Sequence, residues 1–222
     1  MGRSNSLAPH PISGNGPATI TTGIAMTAPF KRLAIYCGSA TPSDPVYIEN
    51  ARMVGATLAG RGIGVVYGGG RLGLMGAVAD AALEQGGEVI GIIPEALVQA
   101  EVAHQGCTEL HVVPGMHARK QRFTDLADGF VVLPGGVGTM DELWEAISWS
   151  QLGYHSDPVG LLNINGFYDQ LIAFNRHMIE VGFIRPQHAD ILIVDETLDG
   201  LLAKMEAYRP HQTIFAMTAD DL

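Results

Sequence analysis

From Lys31 onward the chain alternates short apolar runs with longer stretches in which apolar residues recur at helical spacing. The runs are Leu33–Cys37, Ile63–Tyr67, Val89–Ile93, Leu110–Val113, Phe130–Leu133, Val159–Leu162 and Ile191–Val194. Each reads as a strand. Most are apolar throughout rather than alternating, as expected where helices cover both faces of a parallel sheet. Between them, Asp44-Pro45 offers an N-cap with proline at the first helical position. The following helix places Ile48, Ala51, Gly55 and Leu58 on one face and stops at Gly60-Arg61-Gly62. Further helices are predicted over Met75–Gln85, His117–Ala127, Met140–Leu152, Tyr168–Val181 and Leu198–Tyr208. The alternation predicts an α/β fold, a Rossmann-like doubly wound and mostly parallel sheet of about seven strands. Right-handed crossovers put every strand-to-helix loop on one edge, so the site is expected at the carboxyl ends of the strands.

Composition narrows this picture. With 222 residues, 47% hydrophobic and 16% charged, the chain suits one well-buried domain, expected over 30–210 and followed by a tail at 211–222. Residues 1–29 are rich in Ser, Thr, Pro, Gly and Ala, carry one charge at Arg3, and read as a disordered leader. Pro9, Pro11 and Gly14-Asn15-Gly16 interrupt any secretory apolar run, so export is disfavoured. Met1–Ser6 fits an N-myristoylation pattern short enough to arise often by chance. No apolar run approaches the roughly 20 residues that span a bilayer.

A formal net charge of -10 works against nucleic-acid backbones, so no nucleic-acid partner is expected, and with no spanning run no membrane partner is expected either. A small anion can still bind where backbone amides dominate locally. The two cysteines, Cys37 and Cys107, offer neither a disulfide framework nor metal-ligand spacing, so no metal is expected and the cytoplasm is the expected compartment.

Two glycine-rich loops fall on the expected edge. Gly68-Gly69-Gly70-Arg71-Leu72-Gly73-Leu74-Met75-Gly76 follows the second strand, and Pro134-Gly135-Gly136-Val137-Gly138-Thr139 follows the fifth. Each is a candidate phosphate cradle: glycines let the backbone approach an anion, and a helix's first turn supplies amide donors. Glycines that merely make tight turns are the alternative for either loop alone. Gly68-x-Gly70-x-x-Gly73 formally matches the dinucleotide fingerprint, but only Glu95, beyond Pro94, stands near the acidic position that should confirm it. Neither loop holds the lysine of a nucleotide-triphosphate P-loop.

In the second loop Thr139 is expected to cap the helix, with Asp141 and Glu142 in its first turn, where carboxylates favour the dipole. One helix earlier, Arg119 and Lys120 place cations at a helix start, where the dipole disfavours them. Either the pair is a solvated basic patch, or something anionic compensates it: a ligand phosphate or an active-site carboxylate.

At these residues a family resemblance emerges. Met116-His117-x-Arg119-Lys120, followed by Pro134-Gly135-Gly136-x-Gly138-Thr139-x-x-Glu142, resembles the LONELY GUY family of cytokinin riboside 5'-monophosphate phosphoribohydrolases. The likeness runs from about Leu33 to Arg209 and includes Cys37-Gly38-Ser39, Trp149-x-Gln151-Leu152-Gly153 and Pro158–Asn163. It implies cleavage of the N-glycosidic bond of an N6-modified adenosine 5'-monophosphate, with no cofactor. It implies Glu142 and Arg119 as catalytic residues. Substrate contacts are implied at Glu101, Lys120, Ser148, Ser39, Gly69, Gly70, Gly73 and Met75, and along Gly135, Gly136, Val137, Gly138, Thr139, Met140 and Asp141. It further implies a homodimer or higher homo-oligomer. Related proteins often carry a lysine decarboxylase label, which the lysines here, Lys31, Lys120 and Lys204, do not support.

Departures from the family pattern bear on the base. Ala118 stands where an acid is frequent, Val137 where tyrosine is, Asp141 where glutamate is, and Ala40–Asp44 differs from the usual small-residue loop. AMP and prenylated AMP are both expected substrates. His117 reads as structural or supporting, because no second ligand has metal spacing with it. Phe167, Leu171, Phe174 and Met178 form an apolar stripe suited to the core or to a subunit contact. Two rival functions remain: a non-hydrolytic nucleotide or cofactor carrier, and a broader nucleoside monophosphate nucleosidase.

Overall fold

The computed structural model of the chain describes residues 1–2, 30–98 and 103–214. The expected leader, apart from its first two residues, and the last eight residues of the expected tail fall outside that range. Seven strands form one sheet: β1 (Arg32–Tyr36), β2 (Gly64–Tyr67), β3 (Val89–Pro94), β4 (Glu109–Val113), β5 (Phe130–Val132), β6 (Val159–Leu162) and β7 (Leu192–Asp195). Their order is β4-β3-β2-β1-β5-β6-β7, and every neighbouring pair is parallel. The strand order runs outward in opposite senses from β1 and β5, and the junction between these two parallel strands is the topological switch point of a doubly wound sheet.

Among the described residues six α-helices cover the sheet: α1 (Pro45–Gly60), α2 (Gly73–Glu84), α3 (Met116–Leu126), α4 (Val137–Leu152), α5 (Asp169–Glu180) and α6 (Leu198–Ala207). One apolar core joins α1, α2 and α6 to one face, and a second joins α3, α4 and the start of α5 to the other. Burial on both sides explains why the central strands lack alternation: Leu33, Ala34 and Ile35 are all buried. The Asp44 side chain accepts from Val46 N–H, with Pro45 opening α1, and the chain leaves that helix through Gly62 at φ +72. α1 and α2 approach closely at Gly55, where a β-carbon would overlap the Val78 carbonyl oxygen.

Helix starts depart from expectation at two places, both on the functional edge. α2 begins at Gly73 rather than Met75, because Gly73 at φ +57 turns the chain where a β-carbon would strike the Ser39-Ala40 backbone. α4 begins at Val137 with Gly136 as its cap, so Thr139 is not the cap and Asp141 and Glu142 lie in the second turn. Thr139 instead packs back on Gly135, whose missing β-carbon makes the space its hydroxyl occupies.

Candidate active site

α3 and α4 each deliver one charged side chain to the carboxyl edge. Arg119, in the first turn of α3, and Glu142, in the second turn of α4, are 4% and 6% exposed, and Arg119 Nη2 lies 3.6 Å from Glu142 Oε1. Two buried charges are tolerable only when paired and hydrogen-bonded. Arg119 Nε donates to the Ile92 carbonyl at 3.2 Å and Nη2 to the Gly68 carbonyl at 3.4 Å. The guanidinium carbon also lies 5.6 Å from the centre of the Phe123 ring. The compensation expected for a cation at a helix start is therefore supplied by a carboxylate of the neighbouring helix.

Lys120 is compensated in the same way. Its Nζ is 2.9 Å from both Asp141 Oδ2 and Glu145 Oε2. Burial opposes its charge, but the two carboxylates outweigh that and hold its pKa above the usual lysine range. α3 and α4 are thus tied by three ion pairs from two adjacent residues, and the two made by Lys120 help fix the relative placement of Arg119 and Glu142.

The glycine loops differ in what they leave open. At α2, the amides of Leu74 and Met75 already donate to the Gly38 carbonyl at 3.0 and 3.3 Å. Gly69 and Gly70 are buried, and Gly70 forms a bridge to Ala103. This loop is a wall and a seat for Arg119. At α4, a β-carbon on Gly136 or Gly138 would meet nothing within 4 Å, and Val137 is 88% exposed. No helical carbonyl lies one turn back to receive the first-turn amides, and among the described residues no other backbone carbonyl takes them, so this end combines open space, available donors and positive dipole. Such an end accepts an anion such as a phosphate.

Between the ends of β1 and β5, bonded through Gly38 N–H to the Pro134 carbonyl at 3.1 Å, lies an apolar cavity of about 170 Å³. Gly38, Ala40, Tyr47, Leu74, Gly135 and Phe167 are among its walls. Burial, with Glu142 close by, raises the pKa values of the Tyr36 phenol and the Cys37 thiol, so Cys37 is a poor nucleophile.

Among the other sequence-predicted residues, Met75 is buried, Met140 is half-buried, and Ser39 and Asp141 are exposed. Ser148 is exposed on α4, about 9 Å along the helix from Glu142, and the chain does not bring it to the loops. Glu101 lies outside the described residues. His117 is exposed, and among the described residues no cluster of His, Cys, Asp and Glu could hold a metal. Gly68 opens the first glycine-rich loop but is not singled out by the sequence as a contact residue; its carbonyl's bond to Arg119 gives it that place. A pyridoxal cofactor does not fit the lysines: Lys31 is exposed, Lys120 is locked in ion pairs, and Lys204 pairs with Asp195 at 2.8 Å.

A family model described as possible lysine decarboxylase matches residues 75–205. The rice (Oryza sativa subsp. japonica) cytokinin riboside 5'-monophosphate phosphoribohydrolase LOG is 42% identical over 193 residues, covering 87% of this chain and 80% of that protein. The Arabidopsis thaliana enzyme of that activity named LOG3 is 42% identical over 181 residues, covering 82% and 84%. Among solved structures, a Moco carrier protein from Chlamydomonas reinhardtii superposes with TM-score 0.61 at 20% identity, covering 79% of this chain and 95% of that one. At that identity the likeness is one of fold alone. By its sequence relatives, the chain belongs to the LONELY GUY family of cytokinin riboside 5'-monophosphate phosphoribohydrolases.

Proposed function

We propose that the protein hydrolyses the N-glycosidic bond of N6-modified adenosine 5'-monophosphates, releasing the free base and ribose 5-phosphate. The observation that carries this is the buried Arg119–Glu142 pair beside the open first turn of α4. The 5'-phosphate docks on the amides of Val137, Gly138 and Thr139, which uses binding energy remote from the reacting bond to position it. Glu142 then stands by the ribose. As the C1'–N9 bond breaks, its electron pair leaves with the base and positive charge builds on the sugar, where a carboxylate stabilises it. Water adds to C1'; the proton it loses passes through Glu142 and ends on the base. Arg119 supplies the counter-charge that makes a buried carboxylate tolerable and fixes its direction.

The reading extends to one catalytic domain over 30–210 and to a cytoplasmic homodimer. α5 has no fully buried residue, and Phe174, Val181 and Phe183 on and just after it are 55%, 52% and 86% exposed, an apolar face suited to a second copy. Two free cysteines suit a reducing compartment. Among the described residues no helix is long and apolar enough to cross a membrane.

The test is to incubate purified protein with AMP, isopentenyladenosine monophosphate, cytidine and uridine monophosphates and the matching nucleosides, then separate free bases. Base from the monophosphates and little from the nucleosides is expected. Base from pyrimidine monophosphates as well would make it a broader nucleosidase. No base from any compound would make it a carrier.

A further inference from the structure

We infer that His104 is a positioning residue for Arg119, acting through the Gly68–Gly70 loop, with Asp80 as its anchor. The inference rests on the hydrolytic reading above for its consequence, but not for its geometry. His104 is buried and lies away from the Arg119–Glu142 pair in sequence and in secondary structure. Its backbone N–H donates to the Gly69 carbonyl at 2.9 Å, and the preceding residue, Ala103, bridges to Gly70. These two contacts hold the glycine loop from one side.

The ring explains why this segment stays in place. His104 Nδ1 accepts from the Gly106 N–H at 3.1 Å, which leaves Nε2 to carry the proton. Nε2 in turn donates to Asp80 Oδ1 at 2.9 Å. Asp80 belongs to α2, the helix that the same glycine loop opens. One imidazole therefore closes the 103–106 turn and staples it to the helix beyond the loop. A further tie lies beside it, where the Tyr67 hydroxyl at the end of β2 meets Cys107 Sγ at 3.3 Å.

The loop so held is the seat of the guanidinium. The Gly68 carbonyl accepts from Arg119 Nη2, the nitrogen that faces Glu142 at 3.6 Å. Gly69 at φ +77 is pressed against β3, where a β-carbon would come within 3.1 Å of Ile93 Cβ. Releasing the 103–106 turn frees Gly69 and Gly70 from one of their two supports, and Arg119 follows the Gly68 carbonyl. Glu142 then loses the partner that fixes its direction, while the first turn of α4 belongs to a different loop, so the reacting geometry suffers and the phosphate grip does not.

The experiment compares His104→Ala, His104→Gln, Asp80→Ala, Asp80→Asn and the double variant His104→Ala/Asp80→Ala, each below its own thermal midpoint. His104→Ala should lower kcat by about tenfold to a hundredfold, the scale of a misplaced catalytic group, with KM for the monophosphate within about twofold. His104→Gln and Asp80→Asn, which keep a donor and an acceptor respectively, should recover most of the rate. The double variant should be no slower than His104→Ala, because both changes break one link. In nuclear magnetic resonance of nitrogen-15-labelled protein, the Arg119 Nε–H signal should shift or broaden in His104→Ala. Unchanged kcat with an unmoved Arg119 signal, a drop confined to the thermal midpoint, or fully additive losses would overturn the inference. A wild-type protein that releases no base would overturn the hydrolytic reading instead, and the Arg119 signal would still decide the positioning claim.

Discussion

Gly68 and Arg119 share one volume: a β-carbon on Gly68 would overlap Arg119 Nη2, and the Gly68 carbonyl accepts from that same nitrogen at 3.4 Å. Gly68→Ala must therefore push the guanidinium away from Glu142 or shift the loop. Turnover should fall by about a hundredfold, as for a catalytic group displaced by about 1 Å, and overpacking should cost about 1–3 kcal/mol of stability. Steady-state kinetics beside a urea unfolding curve separates the two effects, and wild-type turnover in this variant would show that Arg119 need not sit where it does.

Glu142→Gln keeps the shape of the side chain and deletes its charge. The loss of a charge complementary to the transition state should lower kcat by about a hundredfold to a thousandfold, or roughly 3 kcal/mol or more. Monophosphate binding, measured by calorimetry, should persist because α4 holds the phosphate. Stability should also drop, by up to about 3 kcal/mol, since Arg119 stays buried among neutral partners, the Ile92 and Gly68 carbonyls, Met116 and the Phe123 ring, with its opposite charge removed. Near-normal turnover would remove Glu142 from the mechanism.

Acid should weaken the fold at a site remote from the chemistry. Asp195, at the end of β7, is held down to a pKa of about 2 by Lys204 at 2.8 Å and by the N–H and hydroxyl of Thr197. Its folded value lies below the unfolded value of about 3.9, so its contribution is complete above about pH 4 and is lost as pH falls toward about 2. Urea midpoints measured from about pH 6 down to about pH 2.5 should fall less steeply for Asp195→Asn than for wild type, with the variant already weaker at neutral pH. Parallel curves would contradict the assignment.

The sheet is legible because both of its faces are covered: the seven apolar runs match the seven strands to within one residue at every end. The pairing of Arg119 with Glu142 was legible only as a demand, a cation at a helix start needing an anion, since the distance between α3 and α4 is set by tertiary packing. The start of α4 is ambiguous in the sequence because Thr139 and Gly136 are comparably good caps, and only the fold decides between them. The deciding contact, Thr139 against Gly135, involves residues four apart whose spatial relation no propensity encodes. The role of Gly68 and the anchoring of its loop by His104 were invisible for the same reason, each depending on partners about fifty and thirty-five residues away in sequence.

Gly136 and Gly138 offer the sharpest test of where the phosphate lies, because in the free protein neither needs to be glycine. Both have negative φ, and a β-carbon on either would meet nothing within 4 Å. Inside the helix, Gly138→Ala should raise stability by about 0.4–1 kcal/mol through a less disordered unfolded chain. The same methyl would stand in the space assigned to the anion. Affinity for the 5'-monophosphate should fall by about tenfold or more, the loss of one good amide contact. The matching nucleoside, which lacks the phosphate, should bind both proteins alike. The prediction thus separates stability from binding in opposite directions within one substitution, and calorimetry with AMP and adenosine beside a thermal melt reads both. Equal AMP affinity in wild type and Gly138→Ala would mean that the phosphate does not sit on the first turn of α4.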